Sequence, residues 1–488
     1  MNEKLSRRAW LASAAAAATA PAWLPRAHAA QSDGAQSRRP NIIFAMADDL
    51  GYGDLGCYGQ ARIQTPRIDA MAAQGIRFTQ CYAGSTVCAP SRCVLMTGLH
   101  TGHCYVRGNS GRDGERVPLR PEDLTVAAIL QQAGYATGQV GKWGLGDVGD
   151  TGHPNRQGFD YFFGYLDQQH AHDYYPEVLY RNEEEVRLEG NRNVEKNVHG
   201  DKGAYAPEML TQEALGFVER HHESPFFLYW SMIRPHAANQ SGRYYGDESG
   251  EGMPVETDAP YTDEDWPQAS KNHAAMITQL DADLGRMVDK LEELGIADNT
   301  LIIFTSDNGP HREGGADPDF FESSGPLRGI KRDLYEGGIR VPGIAYWPGR
   351  IAPGQVSNHA WAFWDILPTF AELAGAETPE GLDGISLVPT LRPTGEAQRT
   401  HESFYWEFHE RGFRQAVRFD DWKAVRYFSQ EEFNEGVVPP LQLFNLADDI
   451  AEENDIAAEH PEVVARAEEI LAASRIPSLH WPLPGEAA

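Results

Sequence analysis

The residues best placed to do chemistry lie in Val87-Cys88-Ala89-Pro90-Ser91-Arg92-Cys93-Val94-Leu95-Met96-Thr97-Gly98, which reads as a turn running into the first turn of a helix. Cys88 carries the reactive atom. Pro90 lacks an N–H and has a preset φ, which suits the first helical position, so backbone donors around Cys88 are expected to face an anion. Arg92 follows about one helical turn later on the same face, where a fixed charge can hold an oxyanion or orient the Cys88 side chain. A lone cysteine is more often a small buried apolar group, so the chemistry depends on its neighbours.

Two clusters of oxygen donors follow apolar runs. Asn41-Ile42-Ile43-Phe44-Ala45-Met46-Ala47 reads as a buried strand and is followed directly by Asp48 and Asp49. Asn299-Thr300-Leu301-Ile302-Ile303-Phe304-Thr305-Ser306 repeats the arrangement and ends in Asp307, Asn308 and Gly309. Ligands of open α/β sheets bind at the carboxyl edge of the strands. Such oxygens suit a hard cation, Ca²⁺ or Mg²⁺, and no Cys/His cluster has zinc spacing. Asp, Asn and Gly are also ordinary turn residues at strand ends.

The elements that must position these groups alternate between strand and helix. Thr65-Pro66 reads as an N-cap and first helical residue, with Ile68, Met71 and Ala72 on one face and Gly75 as the stop. Val126, Ala127, Leu130 and Ala133 form a second helix, closed by Gly134 and followed by a strand from Tyr135 to Val140. Met276, Leu280, Leu284, Met287, Val288 and Leu291 recur at helical spacing and stop at Gly295. This is a βαβ pattern.

Cys88, Pro90 and Arg92 followed by Leu95, Thr97 and Gly98 resemble the sulfatase signature, whose cysteine is oxidised to formylglycine (3-oxoalanine). Gly134-Tyr135-Ala136-Thr137-Gly138-Gln139-Val140-Gly141-Lys142-Trp143 resembles the second signature of that family, and the resemblance runs from Pro40 to about Ala457. It implies a formylglycine-dependent (type I) sulfatase of the alkaline phosphatase superfamily. The implied fold is α/β, with a large mixed, mostly parallel sheet sandwiched by helices and a smaller C-terminal antiparallel-sheet subdomain. Asp48, Asp49, Asp307 and Asn308 would hold a divalent metal, usually calcium, beside position 88. Lys142 and Lys331 match lysines that contact the sulfate, and His236 matches a substrate-binding histidine. His236 or Lys331 would protonate the leaving oxygen, and His311 is a further candidate. The family usually has a histidine after Lys-Trp, but this chain has Gly144, for which His170 or His172 is the expected substitute. The implied partners are a sulfated small molecule or oligosaccharide as substrate and a formylglycine-generating enzyme during maturation. A phosphonate or phosphate ester hydrolase, or a noncatalytic glycan-binding relative, is the alternative.

Ser6-Arg7-Arg8 before an alanine-rich run, with Ala27-His28-Ala29 as a cleavage site, resembles a twin-arginine export signal over residues 1–29. The run is too short for a convincing membrane span, which needs about 20 apolar residues. A soluble mature enzyme, periplasmic or secreted and starting near Ala30, is expected. The chain carries a net charge of −29, which becomes −32 without residues 1–29 and argues against nucleic acid as a partner. An acidic surface also disfavours long, densely sulfated chains as substrates. Apart from Cys88, four cysteines allow two disulfides, but folding before export in a reducing compartment opposes them.

The catalytic unit is expected over 30–390 and a C-terminal α+β unit over 391–488, joined at the linker-like Pro393-Thr394-Gly395-Glu396. Strands are expected at Ser403–Phe408, Gln415–Arg418, Trp422–Tyr427 and Leu441–Phe444, with a helix over Pro461–Ser474. Tyr405, Trp406 and Glu407 either reach the pocket mouth or pack in the core.

Overall fold

Asn41–Ala47 shows why the centre of the molecule is a helix-covered sheet: Ile42, Phe44 and Met46 pack into one core and Ile43, Ala45 and Ala47 into another. A parallel strand needs apolar side chains on both faces because both are covered. The computed structural model describes residues 39–486 apart from 112, 196, 247, 248, 393, 394, 411 and 485. The export signal and the start of the linker at Pro393 and Thr394 lie outside the described residues.

The large sheet has eleven strands. From edge to edge run Gln355–Ser357, Ile76–Tyr82, Arg340–Tyr346, Thr300–Ser306, Asn41–Ala47, Phe226–Ser231, Ala136–Lys142, Tyr161–Tyr165, Val178–Arg181 and Glu184–Arg187, with Trp361–Ala362 also paired to Ile76–Tyr82. The five strands from Thr300–Ser306 to Tyr161–Tyr165 are parallel, and antiparallel partners flank them on both sides. Helices Cys88–Thr97, Val126–Gln132 and Ile366–Ala374 pack in one core, and Pro66–Gln74, Ala206–His221 and Gln268–Glu293 in the other. The expected helix after Thr65-Pro66 and the one through Met276–Leu291 are both present; the latter begins earlier, at Gln268.

Register decides where the chemistry sits. Ala47 lies opposite Ser306, while Met46 and Gly141 both lie opposite Ser231. The residues that follow these strand ends therefore converge on one edge of the sheet.

The C-terminal sheet has four antiparallel strands, Phe404–Phe408, Phe413–Phe419, Trp422–Phe428 and Gln442–Asn445, close to their expected bounds. Helix Pro461–Ala473 covers one face, placing Ala467 and Leu471 with Tyr405, Val417 and Leu443. The other face joins the main core, where Trp406 packs on Tyr82 and Trp364. Tyr405, Trp406 and Glu407 are thus all buried and none reaches the mouth of the pocket. Glu407 is held by Arg107 (3.0 Å), Arg475 (2.9 Å) and the Tyr405 hydroxyl (2.7 Å). All five cysteines are free thiols.

His273 on Gln268–Glu293 is buried against Phe321 and His311, and burial followed by the neighbouring imidazole pushes its pKa down to about 3. The unfolded chain titrates this group near 6.5, so between about pH 6.5 and 3 the unfolded state binds the extra proton. Stability is therefore expected to fall as pH drops through that window. His273→Phe should flatten the slope of Tm against pH there; an unchanged slope would assign it to other groups.

Candidate active site

Asp307 N–H donates to Ala47 O and Asp48 N–H to Arg234 O, each at 3.1 Å, which ties the strand ends together. Asp49 then turns the chain with φ +67°, in the left-handed region that aspartate tolerates better than most residues. In that conformation its N–H donates to Asp307 Oδ1 (3.1 Å), and Leu50 N–H donates to Ser306 Oγ (2.8 Å). Asn308 Nδ2 donates to Asp49 Oδ1 (2.7 Å), and Asn308 Oδ1 is buried with no partner among the described residues.

Cys88 is the first residue of its helix, with Val87 as N-cap, so Pro90 takes the third position instead of the first. It fits there because first-turn N–H groups have no partner within the helix. The expectation that the backbone around Cys88 faces an anion is corrected at Ala89, whose N–H is taken by Asn109 Oδ1 at 3.0 Å. Lys142 ends its strand and donates from Nζ to Asp48 Oδ2 (2.7 Å) and to Cys88 Sγ (3.2 Å). The Cys88 thiol in turn lies 3.5 Å from Asp48 Oδ1. Burial pushes this thiol well above its usual range, although Lys142 opposes the shift, so the side chain is not a thiolate at neutral pH.

Arg92 points beneath the site, not into it. Its guanidinium is fully buried and donates to Asp307 Oδ2 (2.8 Å), Lys142 O (2.7 Å) and Ser231 Oγ, with Asp48 Oδ2 at 3.7 Å. It positions carboxylates and a strand end and holds no surface toward the cavity. Arg92→Met is expected to destabilise the fold by about 3–5 kcal/mol, because it leaves buried carboxylates unpaired. A urea midpoint equal to that of the parent protein would contradict this.

Lys331 donates to Asp49 Oδ2 (2.7 Å) and to His236 Nε2 (3.1 Å). His236 Nδ1–H donates to Ala237 O (2.7 Å), which makes Nε2 the acceptor. Burial, then the charge of Lys331, holds His236 well below its usual pKa, so the imidazole is neutral and the lysine carries the proton. His311 has both ring nitrogens in hydrogen-bond contact with main chain, Pro235 O (3.2 Å) and Glu313 N (3.1 Å).

Residues 40–376 match the family described as Sulfatase, and residues 330–475 match the one described as N-sulphoglucosamine sulphohydrolase, C-terminal. The chain belongs to the sulfatase family. Arylsulfatase A of Homo sapiens is 37% identical over 81% of this chain and 76% of its own length. An N-acetylgalactosamine-6-O-sulfatase of Bacteroides thetaiotaomicron is 31% identical over 90% of this chain and 94% of its own. Among solved structures, Ps i-CgsB in complex with k-i-k-neocarrahexaose is 30% identical with a TM-score of 0.72, covering 90% of this chain and 93% of that one. The chain is thus a sulfuric ester hydrolase, and its mixed sheet with a small C-terminal antiparallel sheet is the sulfatase fold.

In this sulfatase, Asp48, Asp49, Cys88 and His236 each bring a donor atom within 4.8 Å of the others. Burial is the largest single influence on Asp48 and disfavours its ionisation, but the surrounding positive charges, Lys142 first with Arg92 and Lys331, together outweigh it and hold that carboxyl well below the usual range. Asp307 goes the other way, pushed up to about 7 by burial and the neighbouring Asp48. A crowded, buried set of carboxylates with an unpaired amide oxygen at Asn308 is a donor set that fits a hard divalent cation.

A cavity of 540 Å³ opens over Cys88 and is also lined by His236, Lys331, Arg332, His172 and Gln168. Arg116, Asp147, Asp150 and Asp167 line it too, with Arg116 bridging Asp147 (3.2 Å) and Asp167. Of the two substitutes proposed for the histidine absent at 144, His172 lies in the cavity and stacks on His236, ring centroids 4.6 Å apart. His170 instead packs edge-on against Tyr165 and is absent from the lining. Sequence reasoning missed Ser231, Glu313, Asn239 and Gln168. Glu313 binds Arg332 (2.7 Å) and lies 3.7 Å from Lys331. None of the four belongs to a local motif, since each is recruited by a separate loop or strand end.

Proposed function

We propose that the chain hydrolyses a sulfate ester of a carbohydrate, with Cys88 converted to formylglycine and a divalent cation, Ca²⁺ or Mg²⁺, held by Asp48, Asp49, Asp307 and Asn308. One observation carries the reading: Cys88 sits on the floor of the cavity beside the strand-end carboxylates, between Lys142 Nζ (3.2 Å) and Asp48 Oδ1 (3.5 Å). The aldehyde hydrate would supply a hydroxyl to attack sulfur and a second to expel the bound sulfate. The cation would offset negative charge on the reacting oxygens.

The other roles belong to side chains of this chain. Lys142 and Lys331 place fixed positive charge where nonbridging sulfate oxygens gain negative charge. Lys331 holds the proton for the leaving oxygen, and the neutral His236 orients its ammonium. Arg92 sets the carboxylates from below. The carbohydrate reading is supported by the N-acetylgalactosamine-6-O-sulfatase relative and the oligosaccharide complex named above, and by a cavity of sugar size. The carboxylates among the lining residues, together with the acidic chain, favour short substrates over dense polyanions. Maturation would need a formylglycine-generating enzyme, and the Arg7-Arg8 signal would direct export to the periplasm or beyond. Among the described residues no helix is long and apolar enough to cross a membrane.

Mass spectrometry of the native tryptic peptide spanning Cys88 tests the core of this reading, with a loss of about 18 Da expected for oxidation to the aldehyde. Native, exported protein carrying only the thiol would defeat it. Faster turnover of an aryl phosphate than of the matched aryl sulfate would move the chain to phosphorus chemistry. His172→Ala is expected to lower kcat about 10–100-fold and His170→Ala to change it little, since an acid–base or orienting group is worth about that much. Equal effects would remove His172 from the site.

A further inference from the structure

His172 is held by a residue that stands behind the cavity wall. Its Nδ1 lies 3.0 Å from Gln240 Oε1. Its Nε2 makes no hydrogen bond to any described residue and is not one of the enclosed polar atoms that lack a partner, so that nitrogen is open to solvent. The ring is partly exposed and lines the cavity together with Cys88, Lys331 and His236, whereas Gln240 does not line it. With the Nδ1 edge against a residue outside the cavity, the open Nε2 edge is the one that meets its contents.

Two contacts fix the ring. Stacking on His236, at 15° between the planes, sets the plane of the imidazole, and Gln240 sets which edge of that plane turns to the cavity. Tyr174 OH donates to Ile233 O (2.9 Å) and His236 O (2.6 Å), which ties the segment of His172 to that of His236. Burial, then the charges of Lys142 and Lys331, push the pKa of His172 down to about 4, so the ring is neutral at neutral pH, with one N–H and one lone pair. Those two ammonium groups favour the lone pair on the cavity side. The N–H is then at Nδ1 and donates to the Gln240 oxygen, and a hydrogen bond at one ring nitrogen decides what the other can do.

We propose that Gln240 is a positioning residue: by accepting from His172 Nδ1–H it presents Nε2 as a lone-pair acceptor for a hydroxyl in the cavity. The inference rests on the sulfate-ester chemistry proposed above, in which a hydroxyl comes either from the hydrated aldehyde at position 88 or from the sugar. Replacing the amide by groups that only accept or only donate separates tautomer control from packing. The test measures kcat of formylglycine-bearing protein on 4-nitrophenyl sulfate and on the best-cleaved member of a panel of sulfated hexoses, above about pH 8, where an ordinary imidazole is neutral.

Gln240→Glu only accepts, keeps the N–H at Nδ1 and should retain most of kcat. Gln240→Lys only donates, moves the N–H to Nε2 and should lower kcat about 10–100-fold, the range for a lost acid–base or orienting group. Gln240→Leu, which does neither, should fall between them and serves if the lysine variant does not fold. In His172→Ala protein the same changes at 240 should add little, since coupled residues do not act additively. Long-range ¹H–¹⁵N spectra, with the His172 signals assigned by their absence in His172→Ala, should show Nδ1–H in the parent and Gln240→Glu and Nε2–H in Gln240→Lys. A fall on both substrates supports the proposal with the hydroxyl at position 88, and a fall confined to the sugar supports it with the hydroxyl on the substrate. Equal rates in the glutamate and lysine variants, or a lysine effect undiminished in His172→Ala protein, would overturn it. Absence of turnover of every sulfate ester by the formylglycine-bearing parent would instead overturn the chemistry beneath it.

Discussion

Cys88→Ala is expected to lower kcat/KM on an aryl sulfate by on the order of 10⁴-fold or more, the scale of loss when a covalent nucleophile is removed. The fold should survive. Cys88 is a small buried side chain whose thiol makes one long contact to Asp48 and one to Lys142, and alanine keeps the helix start that Val87 caps. Helix content by circular dichroism and the urea midpoint should therefore stay close to those of the parent while turnover disappears. Residual activity above about a hundredth of the parent value would move the nucleophile elsewhere. A variant that is inactive and unfolded would leave Cys88→Ser, also without the aldehyde, to make the same measurement.

The second large effect is expected from the cation. Protein stripped with a chelator, and found metal-free by elemental analysis, should lose activity to background and recover it with Ca²⁺ or Mg²⁺. Its Tm should also rise on adding the cation, since a ligand that binds only the native state at 100 times its Kd stabilises by about 2.7 kcal/mol. The site explains the size of the effect: Asp307 is pushed up to about 7 by burial and Asp48, and the Asn308 amide oxygen is buried without a partner. Asn308→Ala removes one such oxygen and should shrink the cation-dependent rise in Tm, a readout independent of turnover. Full activity and an unchanged Tm in metal-free protein would rule out the assignment of these four residues.

Much of this site was legible because its residues lie directly beside the pattern that positions them. Asp48-Asp49 and Asp307-Asn308 each directly follow a seven-residue buried strand, and parallel strands end at the edge where ligands bind. Lys142 closes the strand of the second signature in the same way, and His236 follows Phe226–Ser231. The C-terminal strands were readable from alternating side chains between turn residues. Arg92 was singled out in sequence as a fixed charge beside Cys88, but its partners were not legible there. Helical spacing places it on the face of Cys88, yet nothing local states that Asp307 and Ser231 wait below that face.

The sequence by itself determined the α/β class and put forward Cys88, the strand-end oxygens and the lysines as the candidate site, because each is written into a short motif or a strand end. Tertiary structure alone decided the rest. Which of His170 and His172 enters the cavity depends on how a short turn packs against Tyr165 and His236. That Tyr405 and Glu407 are buried depends on a helix arriving from Pro461–Ala473 and on arginines at 107 and 475. That Gln168 fills the space over Gly144 depends on two segments more than twenty residues apart meeting at the sheet edge. A side chain's chemistry is carried by its type, but its partners are set by long-range packing, and packing is a property of the folded chain.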